Sequence, residues 1–195
     1  MRRFSGADSP ITRQTVQLRD DPRALSLATT VEHVRDGDPD ALGNVYDQYA
    51  NDLLRLATHI LGSRADAEDV VHDIFVGLPE HLKRYVEIGA FGPWLRTLTI
   101  GLAHLHLRRD VRRGRLLANE SHMYALSRAT RETGTAIDVK RAVASLPDRL
   151  RAVFVLKQWE GYAHDEIATM LNITPGTSRV RHLRALRLLR ALLEP

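Results

Sequence analysis

The chain has 195 residues, with 28 Lys and Arg against 24 Asp and Glu, a formal net charge of +4 and no cysteine. This length holds one domain or two small ones, and the missing cysteine excludes disulfides and thiolate metal sites. No apolar run approaches the roughly 20 residues of a membrane span, and the polar stretch from Met1 to Arg23 lacks the apolar core of a signal peptide, so a soluble, cytoplasmic protein is expected.

In chain order, residues 1–25 are expected to form a disordered or weakly ordered extension. Asp38-Pro39 then supplies a cap and a first-turn proline. Behind it, Leu42, Val45, Tyr46, Tyr49, Leu53, Leu56, Ala57 and Ile60 recur on one side of a helix that Gly62 ends. Ser63 to Asp66 resembles a capping box, with Asp in place of Glu. The following helix buries Ala67, Val70, Val71, Ile74, Phe75 and Leu78 and exposes Asp66, Glu68, Asp69 and Asp73. Pro79 is expected to end or kink it. Gly92-Pro93 opens a third long helix, with Trp94, Leu95, Leu98, Leu102 and Leu105 toward one side and Arg108-Arg109 at its end. Between 110 and 135 the pattern weakens into Asn, Ser, Thr and Gly, which reads as a linker. Residues 136–195 form a second helical unit.

The second unit carries the clearest signal. Ile167, Ala168 and Leu171 make one apolar stripe. Asn172 tolerates the left-handed conformation that ends helices, and Ile173 is placed to plug the angle. Thr174 can cap the next helix, with Pro175 at its first position. Two helices joined this tightly are a helix-turn-helix. The second of them carries Arg179, Arg181, Arg184, Arg187 and Arg190 and no acid before Glu194. Its polar early half suits base edges and phosphates, and its apolar late half suits packing on its own domain. Arginine serves both guanine and phosphate. The expected DNA-contacting set is Pro175, Thr177, Ser178, Arg179, Arg181, His182 and Arg184. Charge distribution agrees with two partners: residues 36–80 are acidic, while 108–115 and 179–190 are basic.

Catalysis has no such support. No Gly-rich phosphate loop or nucleophile elbow is present. Glu68 and His72 share helical spacing but lack a third ligand, and His104 and His106, two apart, face different ways. No metal, cofactor or enzymatic activity is expected. The fold class is all-α: two small helical domains, 26–109 and 136–195, joined by a flexible linker over 110–135.

Several of these pieces resemble the extracytoplasmic-function sigma factors of bacterial RNA polymerase. Ala67-Glu68-Asp69-Val70-Val71-His72-Asp73-Ile74-Phe75 looks like the helix that docks on the polymerase clamp. Phe91-Gly92-Pro93-Trp94-Leu95 and the run to Leu107-Arg108-Arg109 look like the helix that engages the −10 element. Leu146-Pro147 through Val153-Phe154, then Glu160-Gly161-Tyr162, Glu166-Ile167-Ala168, Gly176-Thr177 and Arg181 are similar to the domain that reads the −35 element. The resemblance implies that Asp66, Glu68, Asp69, Val70 and Asp73 dock on core RNA polymerase. It implies that Trp94, Arg96, Arg108, Arg109 and Arg112 serve the −10 region and the DNA backbone. The implied partners are core polymerase at its clamp and flap, promoter DNA and an anti-sigma protein, with no membrane. The chain departs from the family pattern where an Arg-Asn pair and a later Asp are usual: Ile100, Gly101 and Leu105 stand there. Two other readings stay open at this point. One is a self-sufficient helix-turn-helix regulator. The other is a degenerate sigma factor that sequesters a partner.

Overall fold

A computed structural model describes residues 22–86, 90–112 and 139–193. The first bundle contains α1 (Pro22–Arg35), α2 (Pro39–Leu61), α3 (Arg64–Leu82) and α4 (Phe91–Arg112). The second contains α5 (Val139–Ala144), α6 (Asp148–Gln158), α7 (His164–Met170) and α8 (Pro175–Leu193). Among the described residues every regular element is helical, as the sequence leads one to expect. The expected tail up to residue 21 and the linker over 113–135 lie outside the described residues.

The caps form where the sequence places them. Asp38 accepts the Asp40 N–H at 2.9 Å, with Pro39 beginning α2. Gly62 ends α2 at φ 70, its N–H returning to the Thr58 carbonyl. Ser63 accepts the Asp66 N–H at 3.3 Å and starts α3. The first bundle closes over Leu53, Leu56, Ile60, Ile74, Leu78 and Leu95, all fully buried. Tyr49, Tyr85, Phe91 and Trp94 form an aromatic group at one end, with ring centroids between 4.7 and 5.7 Å apart.

Three features differ from the sequence reading. Helix α1 begins at Pro22, inside the stretch expected to lack order, and Val31 and Val34 anchor it in the core. Helix α4 runs on to Arg112. Helix α3 passes through Pro79 and continues to Leu82. Pro79 removes one N–H, but Leu78 and Leu82 are both buried on either side of it. The Arg35 guanidinium also reaches across from α1 to the Leu82 and Tyr85 carbonyls, each at 3.2 Å. Carbonyls at and just beyond the C-terminal end of α3 are thus satisfied from another helix.

The two bundles pack against each other at the C-terminal end of α2. Arg151, on α6, is only 2% exposed. It donates within its own bundle to the Ala144 and Leu146 carbonyls, both at 2.9 Å, and to the Asp148 carboxylate at 2.7 Å. It also donates across the interface to the Ile60 carbonyl at 3.0 Å and to the Leu61 carbonyl. Gly62 makes room for this: a Cβ there would stand 2.7 Å from Arg151 Cζ. Beside it, the His59 and Trp159 rings meet edge to face at 4.6 Å. Arg96 of α4 is shared between Asp52 of its own bundle and Glu160 of the other.

Candidate nucleic-acid interface

The helix-turn-helix is made by α7 and α8. Glu166 accepts the Ala163 N–H at 2.7 Å, placing a carboxylate at the positive end of α7. Ala163 has no side-chain oxygen, so only half of a capping box forms. Asn172 ends α7 at φ 49. Ile173 packs against the core in the angle between the helices. Thr174 Oγ1 accepts the Thr177 N–H at 3.1 Å, and Pro175 is the first residue of α8.

Successive residues on α8 turn by about 100°. Ser178, Ala185, Leu189 and Leu192 fall on the buried side. Arg179, Val180, Leu183, Arg184, Arg187 and Arg190 fall on the exposed side. The outward surface therefore carries Arg179, Arg184, Arg187 and Arg190 and two branched apolar side chains, with Val180 48% and Leu183 54% exposed.

The predicted DNA-contacting residues divide accordingly. Arg179 and Arg184 are exposed, as is Pro175. Arg179 also lies 3.8 Å from Asp165. Thr177 is half-buried, its hydroxyl 2.9 Å from that of Thr174. Ser178 is fully buried, its hydroxyl 2.9 Å from His164 Nδ1, so it holds α7 to α8 instead of facing outward. His182 is half-buried and receives the Gln158 side chain at 2.9 Å. Arg181 lies about 130° around the helix from the centre of the outward face. It turns toward the first bundle, where it shares a cavity of about 320 Å³ with His104, Arg108, Arg149 and Asn172. Burial, and then the neighbouring Arg149, lower its pKa from the ordinary arginine value.

The two histidines between α6, α7 and α8 sit 5.5 Å apart, ring to ring. Both have pKa values lowered from the usual 6.5, first by burial. For His164, Lys157 and Arg179 add to the shift and Asp165 opposes it. For His182, His164 and Lys157 add to it.

On α4, Trp94 packs on Phe91 and Tyr85 against the core. This is a structural position for a residue considered as a base-stacking group. Arg96 is engaged by Asp52 and Glu160; burial works against its charge, but the two carboxylates outweigh it and raise the pKa. Arg108 and Arg109 are exposed. Arg112 is the last residue of α4, and its side chain lies outside the described residues. Ile100 is fully buried, while Gly101 and Leu105 are exposed.

On α3, Asp69 and Asp73 are exposed. Glu68 pairs with Arg64 at 2.8 Å, and Asp66 lies 3.6 Å from His106. Val70 is 3% exposed and belongs to the core, so it fixes α3 while the acids face outward. Val180, Leu183 and Arg187 are outward-facing residues outside the expected DNA-contacting set. A 100° count from Pro175 separates them from Ser178, and the buried Ser178 shows that polarity alone misleads there.

Among the described residues no group of His, Asp and Glu is placed to hold a metal ion, and no helix is long and apolar enough to cross a membrane.

An acidic helix on one bundle and an arginine-bearing helix-turn-helix on the other define a DNA-reading protein of the sigma-70 class. Sigma-70 region 2 matches residues 45–113, and Sigma-70, region 4 matches residues 136–189. The ECF RNA polymerase sigma-E factor of Haemophilus influenzae is 26% identical, over 88% of this chain and 97% of its own length. The RNA polymerase sigma-H factor of Pseudomonas aeruginosa is 26% identical, over 85% and 92%. In fold, the chain is similar to the sigma factor RpoE co-crystallised with the anti-sigma factor NepR from Bartonella quintana. That likeness has a TM-score of 0.50 at 19% identity, over 78% of this chain and 96% of that one. The chain belongs to the extracytoplasmic-function sigma factors, and its function is that of a sigma factor.

Proposed function

We propose that the chain binds core RNA polymerase, at the clamp through the acidic side of α3 and at the flap through the second bundle, and directs it to promoters. Helix α8 reads the −35 element in the duplex major groove. Helix α4, with Arg108 and Arg109, serves the −10 region, where the DNA opens. The observation that carries this reading is the outward face of α8: Arg179, Arg184 and Arg187 together, next to no exposed acid of their own helix. Arginines in that arrangement suit guanine edges and phosphates. Asp69 and Asp73 suit a basic protein surface, where charge complementarity steers association. The domains that do this work are 26–109 and 136–195. An anti-sigma protein is the regulatory partner that the family suggests. The described residues offer binding surfaces, and the chain acts by binding. It works in the cytoplasm, where polymerase and chromosome are.

Elements named −35 and −10 lie about 25 base pairs apart, or about 85 Å of duplex at about 3.4 Å per pair. Bundles that share the Arg108–Arg181 cavity cannot sit on both at once. The packed arrangement is therefore that of the free chain, and promoter engagement separates the bundles. The test is complex formation with a pool of genomic promoter duplexes. Core polymerase plus this chain should retain specific duplexes that neither retains alone. Retention by the chain alone, unchanged by core enzyme, would instead establish a stand-alone regulator.

A further inference from the structure

We infer that Val180 and Leu183 are specificity-determining residues of α8, and that they recognise thymine 5-methyl groups in the −35 element. The inference rests on the reading of α8 as the −35 helix.

The polarity of α8 is inverted in its first half. Ser178 is buried, while Val180 and Leu183 stand in solvent at roughly half exposure. A helix that served only to cover its domain would place these side chains the other way round. Farther along, Ala185, Leu189 and Leu192 pack inward in the usual manner, and Leu186 and Leu193 are less exposed than the Val180–Leu183 pair, at 38% and 36%. On α8 itself the exposed apolar pair is flanked by arginines, Arg179 before Val180 and Arg184 after Leu183, and the acid beside them is Asp165 of α7, 3.8 Å from Arg179. An apolar protein groove would have to supply acids on both sides to accept this face. Duplex DNA meets both demands. Its phosphates and guanine edges answer the arginines, and the thymine methyl is the apolar group that the bases present in the major groove.

The spacing is also suitable. Residues three apart on a helix are separated by about 4.5 Å along the axis. Val180 and Leu183 can therefore reach methyl groups on neighbouring base pairs, about 3.4 Å apart. Arg179 and Arg184 flank them and would take guanine or phosphate on either side. A preferred −35 element should contain thymines, on either strand, next to guanine.

The test uses the full-length chain with core RNA polymerase on a promoter duplex selected from a genomic pool. Each −35 thymine is replaced in turn by deoxyuridine, which removes the methyl and keeps the pairing edge. At one or two positions the affinity should fall about 3- to 5-fold, the effect of one buried methyl. Val180→Ala and Leu183→Ala should lower affinity for the thymine duplex and make the response to deoxyuridine disappear at their own positions. Both side chains are exposed, so folding should be retained, which circular dichroism checks. If wild type ignores every deoxyuridine, or the variants keep the wild-type response, the methyl assignment is overturned. If the variants weaken assembly with core polymerase while duplex affinity per holoenzyme is unchanged, the face belongs to a protein contact and the inference also fails. If no duplex is retained at all, the sigma reading of α8 fails before the methyl question arises.

Discussion

Replacing Glu160 with Gln should open the two bundles. Arg96 holds Asp52 on its own bundle and Glu160 on the other, and Glu160 is only 14% exposed in its side chain. Gln keeps the shape and one oxygen acceptor but removes the charge. A hydrogen bond to a charged group contributes about 1.5–3 kcal/mol. Asp52 remains to neutralise Arg96, so the net loss should be about 1–2 kcal/mol. That shifts the equilibrium between packed and separated bundles about 5- to 30-fold toward separation. The chain has no native cysteine, so dyes can be placed at two introduced cysteines, Glu32→Cys and Ala191→Cys, both at exposed positions. Single-molecule energy transfer should show a larger separated population in Glu160→Gln, and 0.5 M salt should increase that population in the wild type as well. Identical distance distributions in both proteins, at low and high salt, would refute the argument that Arg96 clasps the bundles.

Other outcomes follow from the same geometry. Gly62→Asn should also loosen the clasp, because Asn accepts the left-handed φ of 70 but brings a Cβ within 2.7 Å of Arg151 Cζ; the same distance measurement checks it. Gly101→Ala should raise stability by about 1 kcal/mol in urea unfolding, since Gly101 is helical and a Cβ there meets nothing within 4 Å. Asp69→Arg should reduce competition for core polymerase and leave the helical circular dichroism unchanged; normal competition would remove α3 from the docking surface. Acid should destabilise the second bundle: His164 and His182 have folded pKa values below the usual 6.5. The unfolded chain therefore takes up protons first as pH drops below about 6.5, and stability present above that pH is lost below it. Melting temperature should fall between pH 7.5 and 5.5, and less so in His182→Gln.

Local chemistry made much of the fold legible. Asp38, Gly62, Ser63 and Thr174 act within a few residues of themselves, so their caps could be read directly. The apolar period of α2 and α3 predicted their buried sides for the same reason. What escaped the sequence depends on distant partners. Helix α3 runs past Pro79 to Leu82, where Arg35 bonds the Leu82 and Tyr85 carbonyls from 47 and 50 residues away. Ser178 is buried with its hydroxyl against His164, 14 residues earlier. Arg151 belongs to a contact spanning 91 residues with Ile60. In the candidate site, the arginine richness of α8 was plain, but the division of its arginines was not. Arg181 looks toward the first bundle while Arg179 and Arg184 look outward, a matter of helical phase set by where α8 packs.

Run-off transcription tests the central claim most directly. Core RNA polymerase is reconstituted with the wild-type chain, or with Arg179→Ala/Arg184→Ala, on a library of genomic promoter fragments. Promoter-specific transcripts from the wild type, sharing a −35 sequence and sharply reduced by the double substitution, are the predicted result. Core binding without any promoter-specific transcript would contradict an initiating sigma factor and leave a partner-sequestering one in its place.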